Sequence, residues 1–193
     1  DVYKRQNLRG GFAPLQMECD VNDLVIEGEI PRALNGSFYR NGPNPQYAPR
    51  GHYHWFGGDG MVHAFHVEDG RVAYRNRWVR TIKWQKEREA GRSLFSAFNP
   101  LDNDDSVAGL ETDGVANTNI IWHGGKLLAL EEGHAPFELD PHTLESIGPH
   151  IYGGKLKGPM TAHPKIDPEN GEMLFFGYNA NGTISEHMTF SVV

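Results

Sequence analysis

Residues 61–79 read MVHAFHVEDGRVAYRNRWV, which is the pattern of two β-strands joined by a tight turn. The runs on both sides of the turn are rich in valine and aromatic residues, which favour extended chain. Between them stand Glu68, Asp69 and Gly70. An Asp-Gly pair accommodates the positive φ angles that a two-residue hairpin loop requires. The stretch therefore predicts an antiparallel β-hairpin.

Strand patterns of the same kind recur on both sides of this hairpin. They cover residues 24–30, 37–40, 120–122, 126–130, 137–139, 173–178 and 189–193. Gly, Pro, Asn and Asp residues separate the runs and mark turns. Only residues 82–90 read as a helix, which is charged and stops at Gly91. The sequence thus predicts an all-β chain whose hairpins form a meander, as in a barrel or a propeller blade.

Composition narrows the functional classes. The chain has 193 residues, 38% of them apolar, which is enough for one hydrophobic core. A net charge of −7 without a Lys/Arg-rich run argues against nucleic acid as a partner. The single cysteine, Cys19, excludes an intrachain disulfide framework and fits a reducing compartment. No apolar stretch approaches the roughly 20 residues of a membrane-spanning helix, so we expect a cytoplasmic protein.

Both ends of the sequence carry unusual signals. Residues 1–6 read DVYKRQ, which resembles the translation of a sequencing-library adapter, and we exclude them from the reasoning on the fold. Residues 189–193 form an alternating β-branched run without a polar tail. A terminal strand of this kind leaves backbone groups unpaired. We therefore expect residues 7–193 to be the N-terminal part of one larger β domain that continues beyond Val193.

Histidine is the commonest metal ligand in proteins, and the chain has ten. His52 and His54 would share one face of a strand, and His63 and His66 follow shortly after. Spacing alone allows a zinc or iron site built from these four residues. It equally allows ordinary structural or surface histidines, because nothing in the sequence fixes their orientation.

A different histidine lies in a rigid loop. His163 stands within GPMTAHPKIDP at residues 158–168, where Pro164 favours an extended conformation of the preceding residue. A rigid loop can present a metal ligand, and it can also carry a histidine without any such role. Glu131 and Glu132 follow an apolar strand. They could be solvated carboxylates, or one of them could accept the free N–H of a metal-bound imidazole.

At these residues the sequence resembles the carotenoid cleavage oxygenases. This family includes apocarotenoid oxygenases, epoxycarotenoid dioxygenases, lignostilbene dioxygenases and the retinal isomerase of the eye. The matching segments cover nearly the whole chain in the order of the family. They are GSFYRNGPNP (36–45), HWFGGDGMVH (54–63), YRNRWV (74–79), ANTN (116–119), LALEEG (128–133), and TAHPK with a following Asp-Pro (161–168).

The resemblance implies a seven-bladed β-propeller with Fe(II) on its axis, held by four histidines. His163 matches the first ligand, and the other three are expected beyond Val193. Glu132 matches a glutamate that orients an iron-bound histidine, whereas the family has no metal ligand at the four earlier histidines. The implied reaction is cleavage of a conjugated C=C bond by O₂, giving two carbonyl products. The 193 residues alone are expected neither to hold iron tightly nor to turn over substrate.

Two positions bear on the substrate. Lignostilbene-cleaving members carry a lysine at the position of Glu131, where it helps to bind a phenolic hydroxyl, and their partner tyrosine falls near Phe98. A carboxylate would repel a phenolate, so the resemblance favours a carotenoid or apocarotenoid over a 4-hydroxystilbene. Such an apolar polyene lives in lipid, which makes peripheral membrane contact an expectation.

Other interpretations stay open at this point. Within the family they are stilbenoid cleavage and retinoid isomerisation. A catalytically silent propeller that binds apolar ligands would keep His163 as part of its scaffold. A metal-free hydrolase has less support, because no serine stands in a Gly-x-Ser-x-Gly turn.

Overall fold

The computed structural model describes residues 8–97, 99–182 and 185–193. Its described part forms three antiparallel sheets and one α-helix, α1 (Ile82–Ala90). The strands are β1 (Cys19–Val21), β2 (Gly36–Pro43), β3 (Gly60–Glu68), β4 (Arg71–Trp78), β5 (Asn119–His123), β6 (Lys126–Leu130), β7 (Phe137–Leu139), β8 (Ser146–Pro149), β9 (Lys165–Ile166), β10 (Met173–Tyr178) and β11 (Met188–Val192). Short 3₁₀ turns lie at Gly10–Phe12, Trp55–Gly57, Pro100–Asp102, Asp105–Val107 and Tyr152–Gly154.

The strand orders are β1-β4-β3-β2, β5-β6-β7-β8 and β11-β10-β9. The predicted hairpin is the centre of the first sheet, where β3 and β4 pair from Met61 opposite Trp78 to Glu68 opposite Arg71. Its two turn residues, Asp69 and Gly70, have φ angles of 47° and 78°. These positive values match the turn chemistry that the sequence predicts.

Strand β6 of the second sheet is buried on both faces, and its successive side chains point in opposite directions. Leu127 and Ala129 of β6 pack with Val62 and Ala64 of the first sheet. Leu128 and Leu130 pack on the other side, in a cluster that includes Met160, Ala162, Met173 and Phe175. The apolar sequence of β6 therefore joins three sheets that are stacked in chain order.

Helix α1 has the predicted limits. The Thr81 hydroxyl accepts a hydrogen bond from the Trp84 N–H at 3.2 Å and caps its first turn. Gly91 ends the helix in the left-handed conformation, with a φ of 67°. The side chains that the helix buries are the charged Lys83 and Glu87, in place of an apolar stripe. Among the described residues no helix is long and apolar enough to cross a membrane.

One predicted strand is wrong. Residues 24–30 are irregular, and Val25 is 97% exposed. Gly28 interrupts any extended run with a φ of 92°, and the short β1 occupies the edge of β4 instead. The sequence-based prediction did not include β1, β8 and β9, which are two to four residues long and lack a clear run of apolar residues. Residues 1–6, with their adapter-like reading, lie outside the described part.

Candidate functional site

His163 and Glu132 come together at one end of the second and third sheets. Glu132 follows β6, which ends at Leu130, and His163 precedes β9. Because Leu130 and Ala162 belong to the same buried cluster, the two chain segments leave the core side by side. The His163 Nε2 atom lies 3.3 Å from the Glu132 Oε1 atom. The structure thus pairs the two residues that the resemblance singles out.

The backbone that leads to His163 is firmly held. Met160 N–H donates to the His134 carbonyl at 3.1 Å, and Thr161 N–H donates to the Phe176 carbonyl at 2.7 Å. The His163 N–H donates to the Thr161 hydroxyl at 3.2 Å. Residues 160–162 are buried, whereas the His163 side chain is 64% exposed. A rigid base therefore presents an accessible imidazole.

Tyr178, at the end of β10, completes this group, and the sequence reading missed it. Burial raises the pKa of the Tyr178 hydroxyl, and the charges of Glu132 and Glu131 and a hydrogen bond to Glu132 add to the effect. The phenol therefore stays protonated and donates to the Glu132 carboxylate. In the sequence, Tyr178 is only an aromatic residue at the end of a strand, which indicates no function. It comes close to Glu132 only through the packing of the third sheet against the second.

Glu131 has different partners from its neighbour. One of its carboxylate oxygens, Oε1, contacts His134 Nδ1, and the other accepts a hydrogen bond from the Val115 N–H at 3.3 Å. A Cβ atom added to Gly114 would lie 2.3 Å from Glu131 Oε1, so the close approach needs glycine there. Glu131 is thus held against the 113–115 loop.

The proton affinity of His134 reports on this pairing. Burial lowers the pKa of the His134 imidazole, but the hydrogen bond to Glu131 and the charges of Glu131 and Asp113 outweigh it, and the net direction is upward. A raised histidine pKa means stability that is fully present below the ordinary value of about 6.5 and lost as pH rises through the folded-state pKa. His134 is 41% exposed, so the contribution is small.

We expect an NMR titration to place the His134 pKa above 6.5, the ordinary histidine value. Glu131→Gln should lower that pKa, because the neutral amide no longer favours the imidazolium. Glu145→Gln, at an exposed carboxylate on another loop, serves as the control and should leave it unchanged. An unaltered His134 titration in Glu131→Gln would show that the pair does not exist.

An aromatic cleft of about 400 Å³ opens at the same end of the sheets. Thr118 belongs to its lining, and the Thr118 N–H donates to the Leu130 carbonyl at 2.8 Å, directly before Glu131 and Glu132. Its aromatic walls are Phe12, Tyr53, Trp55 and Phe56, and Arg40, His63 and Asn117 also line it. Glu131 does not line this cleft, and Phe98 lies outside the described residues.

Of the four earlier histidines, His54, His63 and His66 each contact a different partner. His63 Nδ1 is 2.8 Å from the Tyr74 hydroxyl, and His66 Nδ1 is 2.7 Å from the Ser37 hydroxyl. His54 Nδ1 accepts a hydrogen bond from the Phe56 N–H at 3.2 Å. Within residues 8–97, 99–182 and 185–193, no three His, Cys, Asp or Glu side chains are grouped so that they could hold a metal ion.

His163 and Glu132 nevertheless fit one corner of an all-histidine metal site. One ring nitrogen of His163 faces a carboxylate at 3.3 Å, an arrangement that orients metal-bound imidazoles. The other nitrogen is left for a metal, and a neutral imidazole suits a ferrous ion. The described residues therefore supply one ligand with its support, and further ligands would have to come from other parts of a larger protein.

Comparison with known proteins identifies the family. The model of the retinal pigment epithelial membrane protein family matches residues 12–193. The chain belongs to this family. The resemblance to carotenoid cleavage oxygenases is thereby confirmed, because the relatives that this chain matches are oxygenases. They include the isoeugenol monooxygenase of Pseudomonas nitroreducens, which is 47% identical over 96% of this chain and 39% of its own length.

A second relative of this family member is the carotenoid 9,10(9′,10′)-cleavage dioxygenase 1 of Phaseolus vulgaris, 37% identical over 89% of this chain and 35% of its own length. The crystal structure of Pseudomonas brassicacearum lignostilbene dioxygenase superimposes with a TM-score of 0.86 and 38% identity, covering 95% of this chain and 42% of that one. The predicted architecture, part of a seven-bladed β-propeller with a short helix, is confirmed. The chain spans about two fifths of the length of these relatives.

Proposed function

We propose that the whole protein is an iron(II)-dependent oxygenase that cleaves a conjugated C=C bond with O₂. The observation that carries the proposal is the His163–Glu132 pair at the end of the second and third sheets. The aromatic cleft is linked to this end through Thr118, which lines the cleft and donates to the Leu130 carbonyl, two residues before Glu132. The reaction is balanced as R–CH=CH–R′ plus O₂ giving R–CHO plus R′–CHO. Iron, when bound, supplies the binding and activation of O₂.

The residues of this chain have defined tasks in that proposal. His163 would hold the metal through one ring nitrogen, while Glu132 fixes the ring through the other. Tyr178 donates to Glu132 and so keeps the carboxylate oriented towards the imidazole. The buried segment 160–162 prevents the histidine from moving with the surface loop. Three further histidines would come from the rest of a protein that is as long as its relatives.

The aromatic cleft would take the substrate. Trp55 and Phe56 are partly exposed in its wall, and flat conjugated molecules stack well on such rings. Thr118 and Asn117 form its polar side next to β6. An extended alkene lying along the aromatic wall would therefore bring its double bond towards the end of the sheets that carries His163.

Two substrate classes have support. Relatives named for isoeugenol and lignostilbene favour a phenolic arylalkene. The predicted carotenoid or apocarotenoid has support from the Phaseolus relative and from the absence of a lysine at position 131. Repulsion of a phenolate by Glu131 is weaker than the sequence suggests, because His134 and the Val115 N–H engage that carboxylate. We therefore place arylalkenes first and carotenoids second.

We expect the whole protein, loaded with Fe(II), to convert isoeugenol or a 4-hydroxystilbene into two aldehydes, each detected by mass spectrometry. Under ¹⁸O₂ the label should appear in the aldehydes. The chelator-treated protein serves as the control and should give no product. An apocarotenal assayed in parallel tests the second substrate class. Quenching of Trp fluorescence by these ligands without any product would instead establish a silent binding propeller.

A cytoplasmic location is a prediction for either substrate class. Peripheral membrane contact is a prediction only for carotenoids, because these polyenes partition into lipid, whereas phenolic arylalkenes reach the cleft from water.

A further inference from the structure

Two half-buried side-chain amides, those of Asn41 and Asn119, connect the three sheets close to His163. Asn119, the first residue of β5, donates from Nδ2 to the Ala162 carbonyl at 2.8 Å. Asn41, on β2, donates from its own Nδ2 to the Asn119 carbonyl at 2.9 Å and to the Ala116 carbonyl at 2.8 Å. The first sheet thus holds the second, and the second holds the peptide that directly precedes His163.

The orientation of the Asn119 amide is fixed by the backbone of the next residue, Ile120. Its Oδ1 atom accepts a hydrogen bond from the Ile120 N–H at 2.8 Å. With the oxygen occupied there, the amide nitrogen faces the Ala162 carbonyl, so the donor and acceptor ends are not interchangeable. Among the described residues Asn119 is the donor found at that carbonyl. Ala162 is fully buried, and an unpaired carbonyl there would be costly.

We propose that Asn119 is a positioning residue for His163, and that Asn41 supports it through the Asn119 carbonyl. The inference rests on the proposed metal role of His163. The Ala162 carbonyl and the His163 N–H belong to the same peptide, and the Thr161 hydroxyl holds the N–H side at 3.2 Å. Asn119 holds the opposite side of that peptide. Together they set the direction in which the imidazole leaves the backbone.

A change in this direction would affect a metal more than it affects the fold. A ligand must be held within about 0.5 Å of its working position, and groups that support metal ligands typically change affinity by about 10- to 100-fold when removed. The propeller core, in contrast, depends on the apolar residues of β6, and Asn119 is not part of either core cluster.

The test uses the whole protein and Co(II), whose visible absorption reports the geometry of its ligands. We expect Asn119→Asp, which has the same shape but no donor for Ala162, to weaken Co(II) binding about 10- to 100-fold and to alter the spectrum. Asn119→Ala is the second variant, because it puts no charge near the core. Asn76→Asp is the control, since Asn76 lies on β4 of the first sheet, is fully buried and donates from Nδ2 to the Met17 carbonyl. It should lower the melting temperature without changing the spectrum.

The outcomes separate this inference from the function on which it rests. Wild-type Co(II) affinity and spectrum in a folded Asn119 variant would overturn the positioning role, and so would equal losses in the Asn119 and Asn76 variants. If His163→Ala binds Co(II) as tightly as the wild type, the metal role of His163 fails instead. Loss in His163→Ala and in the Asn119 variants, with the Asn76 variant unaffected, supports both proposals.

Discussion

Replacing Lys83 with methionine is expected to lower the free energy of unfolding by about 3–5 kcal/mol, which is the usual cost of removing one partner from a buried ionic group. Lys83 Nζ lies 2.7 Å from Asp59 Oδ1 and 2.8 Å from Glu87 Oε2. Asp59 and Glu87 are each 1% exposed. Without the ammonium, two carboxylates would face each other in the protein interior.

The Asp59–Lys83–Glu87 cluster connects three separate parts of the chain. Asp59 Oδ2 accepts a hydrogen bond from the Gln46 N–H at 3.1 Å. Glu87 Oε1 accepts from the backbone N–H groups of Leu94 and Phe95 at 2.9 and 3.0 Å. The cluster therefore attaches helix α1 to the loop that follows β2 and to the segment after the helix, and its loss should loosen all three.

Protonation states within the cluster follow from its burial. Burial raises the pKa of the Asp59 carboxyl, although the charge of Lys83 opposes this. Tyr53 lies beside the cluster, and burial together with the charge of Asp59 raises the pKa of its hydroxyl to about 12. The pKa of Lys83 is raised because its two carboxylate partners outweigh its burial. A raised lysine pKa means that its contribution to stability persists at neutral pH and is lost only at strongly alkaline pH.

Denaturant unfolding of Lys83→Met, monitored by circular dichroism, measures the effect. Lys86→Met on the same helix is the matched control, because Lys86 is exposed and pairs with Glu89 at the surface, at 2.9 Å. That variant should change the free energy of unfolding by less than about 1 kcal/mol. Similar values for the two variants would contradict the role of the buried cluster.

Local patterns predicted the hairpin and the helix because their information lies within a few residues. Asp69 and Gly70 set the turn between β3 and β4, and Gly91 ends α1. The Asp59–Lys83–Glu87 cluster was out of reach for the same reason. Its members stand on a loop and a helix, and charged residues in a helix normally indicate a solvated face.

The candidate site shows the same division. Spacing could not bring His163 to Glu132, since their contact depends on how the second and third sheets stack, and only the family resemblance singled them out. Tyr178 and Asn119 carried no signal for a role beside His163, because a tyrosine at the end of a strand and an asparagine at the start of one are common after or before turns. The partner of Glu131 was equally unpredictable, and it alters the electrostatic argument about phenolic substrates.

The largest functional effect is expected for His163→Ala in the whole protein: on the proposed function, this variant should lose almost all of the iron. A ferrous site of four neutral imidazoles has no ligand to spare, and Glu132 would be left without the ring that it supports. Iron content per protein after desalting, measured by atomic emission, gives the result directly. The 193 residues expressed alone should likewise hold no stoichiometric iron, because one histidine and one glutamate cannot retain it.

His63→Ala is the control that makes this prediction specific. His63, on β3, is a half-buried histidine whose Nδ1 atom lies 2.8 Å from the Tyr74 hydroxyl. Its removal should cost some stability through the lost hydrogen bond and leave the iron content unchanged. Equal iron loss in both variants would mean that the metal lies elsewhere or that either change unfolds the protein, and circular dichroism separates these two explanations. Iron retained in His163→Ala would show that His163 is not a metal ligand and would contradict the proposed oxygenase site.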